Sequence, residues 1–262
     1  MKAIYCGLTD KGNSKKKNQD STFVSSILSA DSEAVFGIVC DGVGSYSNSE
    51  IASSQAVNAF SEWFLKCYKD ISDIADEVDF RSALYERWNA LFDNVNEYII
   101  RFAEINGIKL ACTLSCILIR GDSYYILHIG DTRIYSISET IVQLTEDHTV
   151  TERNIRQGVL TRDEAKADSR RHILTKCLAS KRHISPDFYS GGFSDTTKFL
   201  ICSDGFRNNT DDETILKTFK CNRKTNIAGL RAAAKKIIRI DRRSGEKDNI
   251  TAVIIQVSKS SK

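Results

Sequence analysis

Residues 35–42 read Val-Phe-Gly-Ile-Val-Cys-Asp-Gly, an unbroken apolar run that stops at a carboxylate and a glycine. A short run of this kind, rich in β-branched residues, predicts a buried strand. Asp-Gly is the turn chemistry that ends one, because glycine reaches positive φ without steric cost and Asp bonds its own turn. The same design recurs three times. Residues 125–129 run into Gly130-Asp131, residues 199–203 run into Asp204-Gly205, and Asp248-Asn249 stands directly before the apolar stretch 250–255. Each carboxylate thus sits at the mouth of a buried strand.

Working outward, strands are expected near 3–8, 21–27, 34–40, 111–119, 123–129, 132–137, 198–203 and 250–257. Between the third and fourth, Ile51, Ala52, Ala56, Ala59, Phe60, Trp63 and Cys67 recur at helical spacing over 50–68. Leu84, Trp88, Leu91, Val95, Ile99 and Phe102 do so over 80–106, where Gly107 is placed to end the helix. These consecutive helices predict an antiparallel pair lying over one sheet. Thr161-Arg162-Asp163-Glu164 and Thr210-Asp211-Asp212-Glu213 read as capping boxes, and a further amphipathic helix is expected near 226–240. Strands, a helical pair, more strands, helices and a closing strand make an α+β pattern, not a regular βαβ alternation.

The bulk numbers exclude several classes. In 262 residues, 41% are hydrophobic, enough for a real core, and one proline with no linker or repeat favours a single domain. A balance of 37 Lys+Arg against 34 Asp+Glu is too even to imply nucleic acid or membrane binding by charge. Apolar runs fall far short of a membrane span, and no export signal is visible. The eight cysteines lack the paired spacings of zinc sites or disulfide frameworks, so reduced thiols in the cytoplasm fit best. Cys112 and Cys116 are expected to share one face of a strand as small core residues.

Any one of the strand-end acids is most simply a turn residue. Held together on rigid strand ends, several would repel one another and demand a cation, and hard oxygen ligands favour magnesium, manganese or calcium. Further motifs stand in order with them: Lys15-Lys16-Lys17-Asn18-Gln19-Asp20, Asp41-Gly42-Val43-Gly44, Cys112-Thr113-Leu114, His128-Ile129-Gly130-Asp131-Thr132-Arg133, Leu144-Thr145-Glu146-Asp147-His148, Cys202-Ser203-Asp204-Gly205 and Asp248-Asn249-Ile250-Thr251. This ordered series resembles the metal-dependent protein phosphatases of the 2C type, the PPM family, in its bacterial form.

The resemblance implies a four-layer α-β-β-α sandwich, two antiparallel sheets flanked by helix pairs, over 1–262 as one domain with a flap insertion at about 154–195. It implies a Ser/Thr phosphatase with two Mn2+ or Mg2+ ions. Asp41 would bridge them, the Gly42 carbonyl and, through water, Asp20 would serve one, and Asp204 and Asp248 would complete the other. Asp131 with Asp204 matches a position for a third ion. Water made acidic by the metals would attack phosphorus in line with the departing Ser or Thr oxygen, so no phosphoenzyme and no catalytic cysteine is needed. Asp41, Asp204 and Asp248 carry that chemistry.

Two departures qualify the match. Lys15 stands where the family usually places a phosphate-gripping arginine, and lysine supplies charge without a bidentate fork. Val43 stands where many eukaryotic relatives have a histidine, so water must protonate the leaving alkoxide. His128 and His148 read as structural, and Arg133 as a partner of Asp131 or of another acid. Arg170-Arg171-His172, Lys181-Arg182-His183 and a turn at Gly191-Gly192 make the flap polar; it reads equally as a solvated surface or a phosphoprotein contact. The partners expected are phosphorylated proteins and a cognate Ser/Thr kinase pathway, with no nucleic acid, no membrane insertion and a monomer favoured. The alternative is a low-activity relative that binds phosphoproteins; a metal-dependent nuclease is disfavoured because no basic groove is evident.

Overall fold

The computed structural model describes residues 1–29, 32–193, 196–220 and 225–259. The strands are β1 (Lys2–Asp10), β2 (Ser21–Ser29), β3 (Ser32–Cys40), β4 (Leu114–Arg120), β5 (Ser123–Ile129), β6 (Arg133–Ile137), β7 (Ile141–Gln143), β8 (Asp187–Gly192), β9 (Thr196–Cys202) and β10 (Ile250–Ser258). The helices are α1 (Ser49–Cys67), α2 (Lys69–Ser72), α3 (Glu77–Asn106), α4 (Val150–Arg156), α5 (Arg162–Ala167), α6 (Asp212–Phe219) and α7 (Ile227–Arg243). One sheet has the order β1-β10-β9-β6-β7 and the other β2-β3-β4-β5-β8, and all their pairings are antiparallel.

Alternation along β3 shows how the layers arise. Val35 and Val39 point between the sheets, where they join Ile117, Phe199, Ile201 and Val253. Phe36, Ile38 and Cys40 point the other way, toward Phe60, Phe64 and Trp88 of α1 and α3. A strand with both faces covered must be apolar throughout, which is why 35–40 shows no polar position. On the outer face of the β1-β10-β9-β6-β7 sheet, Leu200, Cys202 and Ile254 pack against Leu230, Ala234 and Ile237 of α7. The result is the expected α-β-β-α sandwich.

Aromatic residues lock α1 and α3 onto their sheet: Phe36 stacks on Phe64 at 5.2 Å between ring centres, and Trp63 meets Trp88 edge-on at 5.8 Å. At the start of α3 the Asp76 side chain accepts from the amides of Val78 and Asp79, so this helix begins before the apolar periodicity does. Gly107 ends it in the left-handed conformation, φ 62°.

Four local expectations are corrected. β7 and β8 were not foreseen, and Gly191-Gly192 is not a turn but the end of β8, paired with Tyr124 and Ser123. Glycine at 191 leaves room for the Tyr124 ring: a Cβ there would lie 2.6 Å from its hydroxyl, so the ring would have to shift. Cys112 lies outside β4, in isolated bridges to Gly42 and Leu178, although it shares a core cluster with Cys116. The capping box at Thr161 forms, but Thr210 caps nothing: Asp211 caps α6, while the Thr210 hydroxyl donates to Asp241 Oδ1 at 2.7 Å. Seven cysteines are free thiols, and Cys221 lies outside the described residues. Among the described residues no helix is long and apolar enough to cross a membrane.

Asp241 is fully buried, and its Oδ2 has no hydrogen-bond partner. Burial pushes its carboxyl up to about 7. A carboxyl raised in the folded state binds a proton there that the unfolded chain has already released, so it costs stability as pH rises from the ordinary carboxylate range through 7. Asp241→Asn should therefore be more stable than the wild type at pH 8. In thermal melts across pH the gap should close toward pH 4; a constant gap would contradict the assignment.

Candidate active site

The strand ends converge where β3, β9 and β10 finish or begin on one side of the sandwich. The Asp41 amide donates to Thr113 Oγ1 at 2.9 Å, and the Asp41 carbonyl accepts from the Thr113 amide at 2.8 Å. The Thr113 hydroxyl also shares a hydrogen bond with Thr132 Oγ1. One threonine thereby links the Asp41 turn to the residue after Asp131. The Thr113 motif was visible in the sequence, but nothing there marked this role.

The Gly42 amide donates to the Gln19 carbonyl at 3.2 Å, next to Asp20. A Cβ on Gly42 would lie 2.7 Å from that carbonyl and 2.9 Å from Ser49 Cβ, so no side chain fits. Asn249 holds the fourth acid in place: its side chain donates to the carbonyls of Lys11 and Lys17 and accepts from the Gln19 amide. Asp20 and Asp248 are therefore tied through one asparagine.

Lys15, Asp41, Gly42, Asp131, Asp204 and Asp248 all line one cleft of about 830 Å³, and Asp20 is buried beside Asp41. The structure thus brings together every sequence-predicted site residue. Burial, followed by Asp20, Asp204, Asp248 and Asp131, holds the Asp41 carboxyl well above the usual range. Burial and Asp204 push Asp20 and Asp131 up to about 7. Burial works the same way on Asp204, yet His172 and Arg207 hold its carboxyl below the usual range.

Basic groups flank this cluster. Lys15 Nζ is 2.9 Å from Asp248 Oδ1, and His172 Nδ1 is 3.5 Å from Asp204 Oδ2. Beneath Asp131, Arg207 donates to its carbonyl at 2.9 Å. Arg133 does not reach Asp131; it grips Asp147 through two nitrogens, both at 2.8 Å. His128 is buried between Ser115 Oγ and the Glu146 carbonyl, while His148 accepts from the Gly130 amide and meets Asp187 at 3.0 Å. Sequence reasoning missed Arg207, Asn209 and Glu246 as cleft-supporting residues, because nothing in their spacing shows which loops they join.

The donor set fits a hard divalent ion. Among the described residues both oxygens of Asp20 and Oδ1 of Asp204 are buried without a hydrogen-bond partner, which is costly unless something positive meets them. The acids offer oxygen donors, which suit a hard cation, while His172 and Cys177 also line the cleft. Among the described residues no three such side chains already close on a common point, consistent with Lys15 and His172 drawing Asp248 and Asp204 toward themselves.

The sequence model of protein phosphatase 2C matches residues 10–236. The chain belongs to the protein phosphatase 2C family. It is 27% identical over 256 residues to the serine/threonine phosphatase stp of Listeria welshimeri, covering 95% of this chain and 93% of that one. The crystal structure of serine/threonine phosphatase Stp1 from Staphylococcus aureus superposes with a TM-score of 0.83 at 22% identity, covering 99% and 96% of the two chains. The catalytic domain of the serine/threonine protein phosphatase PstP, solved in complex with two manganese ions, gives 0.78 at 23% identity over 98% and 99%. At these identities the structural likeness is one of fold.

Gly42→Ala tests the crowding at the cleft floor. Forcing Gln19 and Ser49 aside should cost about 1–3 kcal/mol in denaturant unfolding with chelator present. An unchanged midpoint would show that the backbone there yields freely.

Proposed function

We propose that this phosphatase hydrolyses phosphoserine and phosphothreonine in proteins at a pair of Mn2+ or Mg2+ ions held by Asp20, Asp41, Gly42, Asp204 and Asp248. The observation that carries this reading is the group of buried and half-buried carboxylates gathered at one cleft, with unpartnered oxygens on Asp20 and Asp204 and a lysine beside them. Asp41 feels the charge of Asp20, Asp204, Asp248 and Asp131, which supports giving it the bridging role. Asp131 with Asp204 offers a position for a third ion. Divalent ions supply there a hydroxide at neutral pH and positive charge for the phosphoryl oxygens.

The chain's own residues do the rest. Lys15 places its ammonium in the cleft and holds the phosphate as a point charge. Val43 offers no proton, so the departing alkoxide takes one from water. We assign a flap at about 154–195 within a single domain, because its Arg171 and His172 line the cleft where a phosphoprotein would enter, although β8 within that range joins the sheet. A cytoplasmic monomer opposing a Ser/Thr kinase is the setting that fits. Nothing observed favours a phosphoprotein-binding module without activity, which would have no use for so costly a set of acids.

The test is phosphate release from a phosphothreonine peptide with and without Mn2+. Activity should require the metal, and Asp41→Asn should lower kcat/KM at least about 100-fold, since even residues that only orient metal ligands cost 10–100-fold. Lys15→Arg should lower KM by restoring a two-pronged grip. Metal-independent turnover equal in wild type and Asp41→Asn would overturn the reading.

A further inference from the structure

Glu246 lies two residues before Asp248 and is 7% exposed. Its Oε1 accepts from the amides of Lys247 and Asp248, at 2.7 and 2.9 Å, and its Oε2 accepts from Asn209 Nδ2 at 2.8 Å. Asn209 belongs to the turn that follows Asp204, in which the amides of Arg207 and Asn208 both bond the Asp204 carbonyl at 2.9 Å. One side chain therefore spans the two loops that carry Asp204 and Asp248. The root of the span is fixed as well, because the Glu246 amide donates to the Asp241 carbonyl of α7 at 3.0 Å.

We infer that Glu246 is a positioning residue that straps the Asp248 loop to the Asp204 turn and so sets the spacing at which these two carboxylates take one ion. The inference rests on the reading that Asp204 and Asp248 share an ion. A further carboxylate beside an acidic cleft is electrostatically unfavourable. Here it is offset by three hydrogen bonds to a charged acceptor, two of them from backbone amides. Asp204 and Asp248 repel one another, and without the strap their loops would relax apart. Metal binding would then have to draw them back, and affinity would fall by that cost. On its other side Asp248 is already clamped through Asn249, so the strap completes a two-sided grip.

The experiment is calorimetric titration of Mn2+ into the full chain, comparing wild type with Glu246→Ala, Glu246→Gln, Asn209→Ala, the Glu246→Ala/Asn209→Ala double variant and Asp248→Asn. Glu246→Ala should weaken Mn2+ binding about 10-fold or more. Asn209→Ala should weaken it in the same direction, and the double variant should match Glu246→Ala within about 2-fold, because both remove one link. Glu246→Gln should recover most of the affinity: its amide oxygen still accepts from the two backbone amides, and Asn209 can turn its own oxygen to meet the new NH2.

Wild-type affinity in Glu246→Ala, with binding lost in Asp248→Asn, overturns the strap and leaves the function standing. Unchanged binding in Asp248→Asn overturns the shared-ion reading and the strap with it. Glu246→Gln as weak as Glu246→Ala, or additive losses in the double variant, would assign the effect to charge or to separate contacts and also overturn the strap. Should Glu246→Ala not fold, Asn209→Ala at the exposed end decides: wild-type affinity there sinks the inference.

Discussion

Mutual repulsion among buried and half-buried carboxylates is the constraint from which the rest of this structure follows. Asp20, Asp41, Asp131, Asp204 and Asp248 come from separate stretches of chain, yet each raises or shares the charge burden at Asp41. A flexible loop would relieve that repulsion by moving. These acids are held at or beside the ends of strands, so relief comes from protons, which the raised carboxyls of Asp20, Asp41 and Asp131 hold more tightly, or from positive charge. Some is built in: Lys15 at Asp248, His172 at Asp204, and Arg207 beneath Asp131. Both Asp20 oxygens and Oδ1 of Asp204 have no hydrogen-bond partner among the described residues. That is the physical meaning of a metal requirement in this fold.

The sandwich supplies the rigidity. Thr113 joins the Asp41 and Asp131 segments, Asn249 joins those of Asp20 and Asp248, and Glu246 with Asn209 joins those of Asp248 and Asp204. Each link is a short polar contact between residues far apart in the chain. Arg133 and Arg207 share Asp147 below the floor, so the buried charges there are paired, as burial requires.

How much of this could be read from the sequence depended on whether the signal was local. The covered strand 35–40 and the long helices α1 and α3 announce themselves through unbroken apolarity and helical spacing, because burial acts on every residue of the element. Strand β8 does not: its residues are half-exposed edge positions in a polar stretch, and Gly191 leaves its side-chain space to the Tyr124 ring. Thr210 fits a capping box by sequence alone, and only the approach of Asp241 from α7 gives its hydroxyl a different partner. The acids of the site were legible because each marks the end of an apolar strand or, at Asp20, the close of a family motif. Glu246, Asn209 and Arg207 were not, since their roles lie in contacts between loops distant in the chain.

If metal charge is what makes the cluster tolerable, removing one acid should help the metal-free protein and harm the loaded one. Thermal melts at pH 8 of the wild type and Asp41→Asn, each in excess chelator and in saturating Mn2+, measure this directly. The account predicts that Asp41→Asn is the more stable protein in chelator, and that Mn2+ stabilises the wild type by mass action enough to reverse the order. A less stable Asp41→Asn in chelator, or an equal gain from Mn2+ in both proteins, would contradict it.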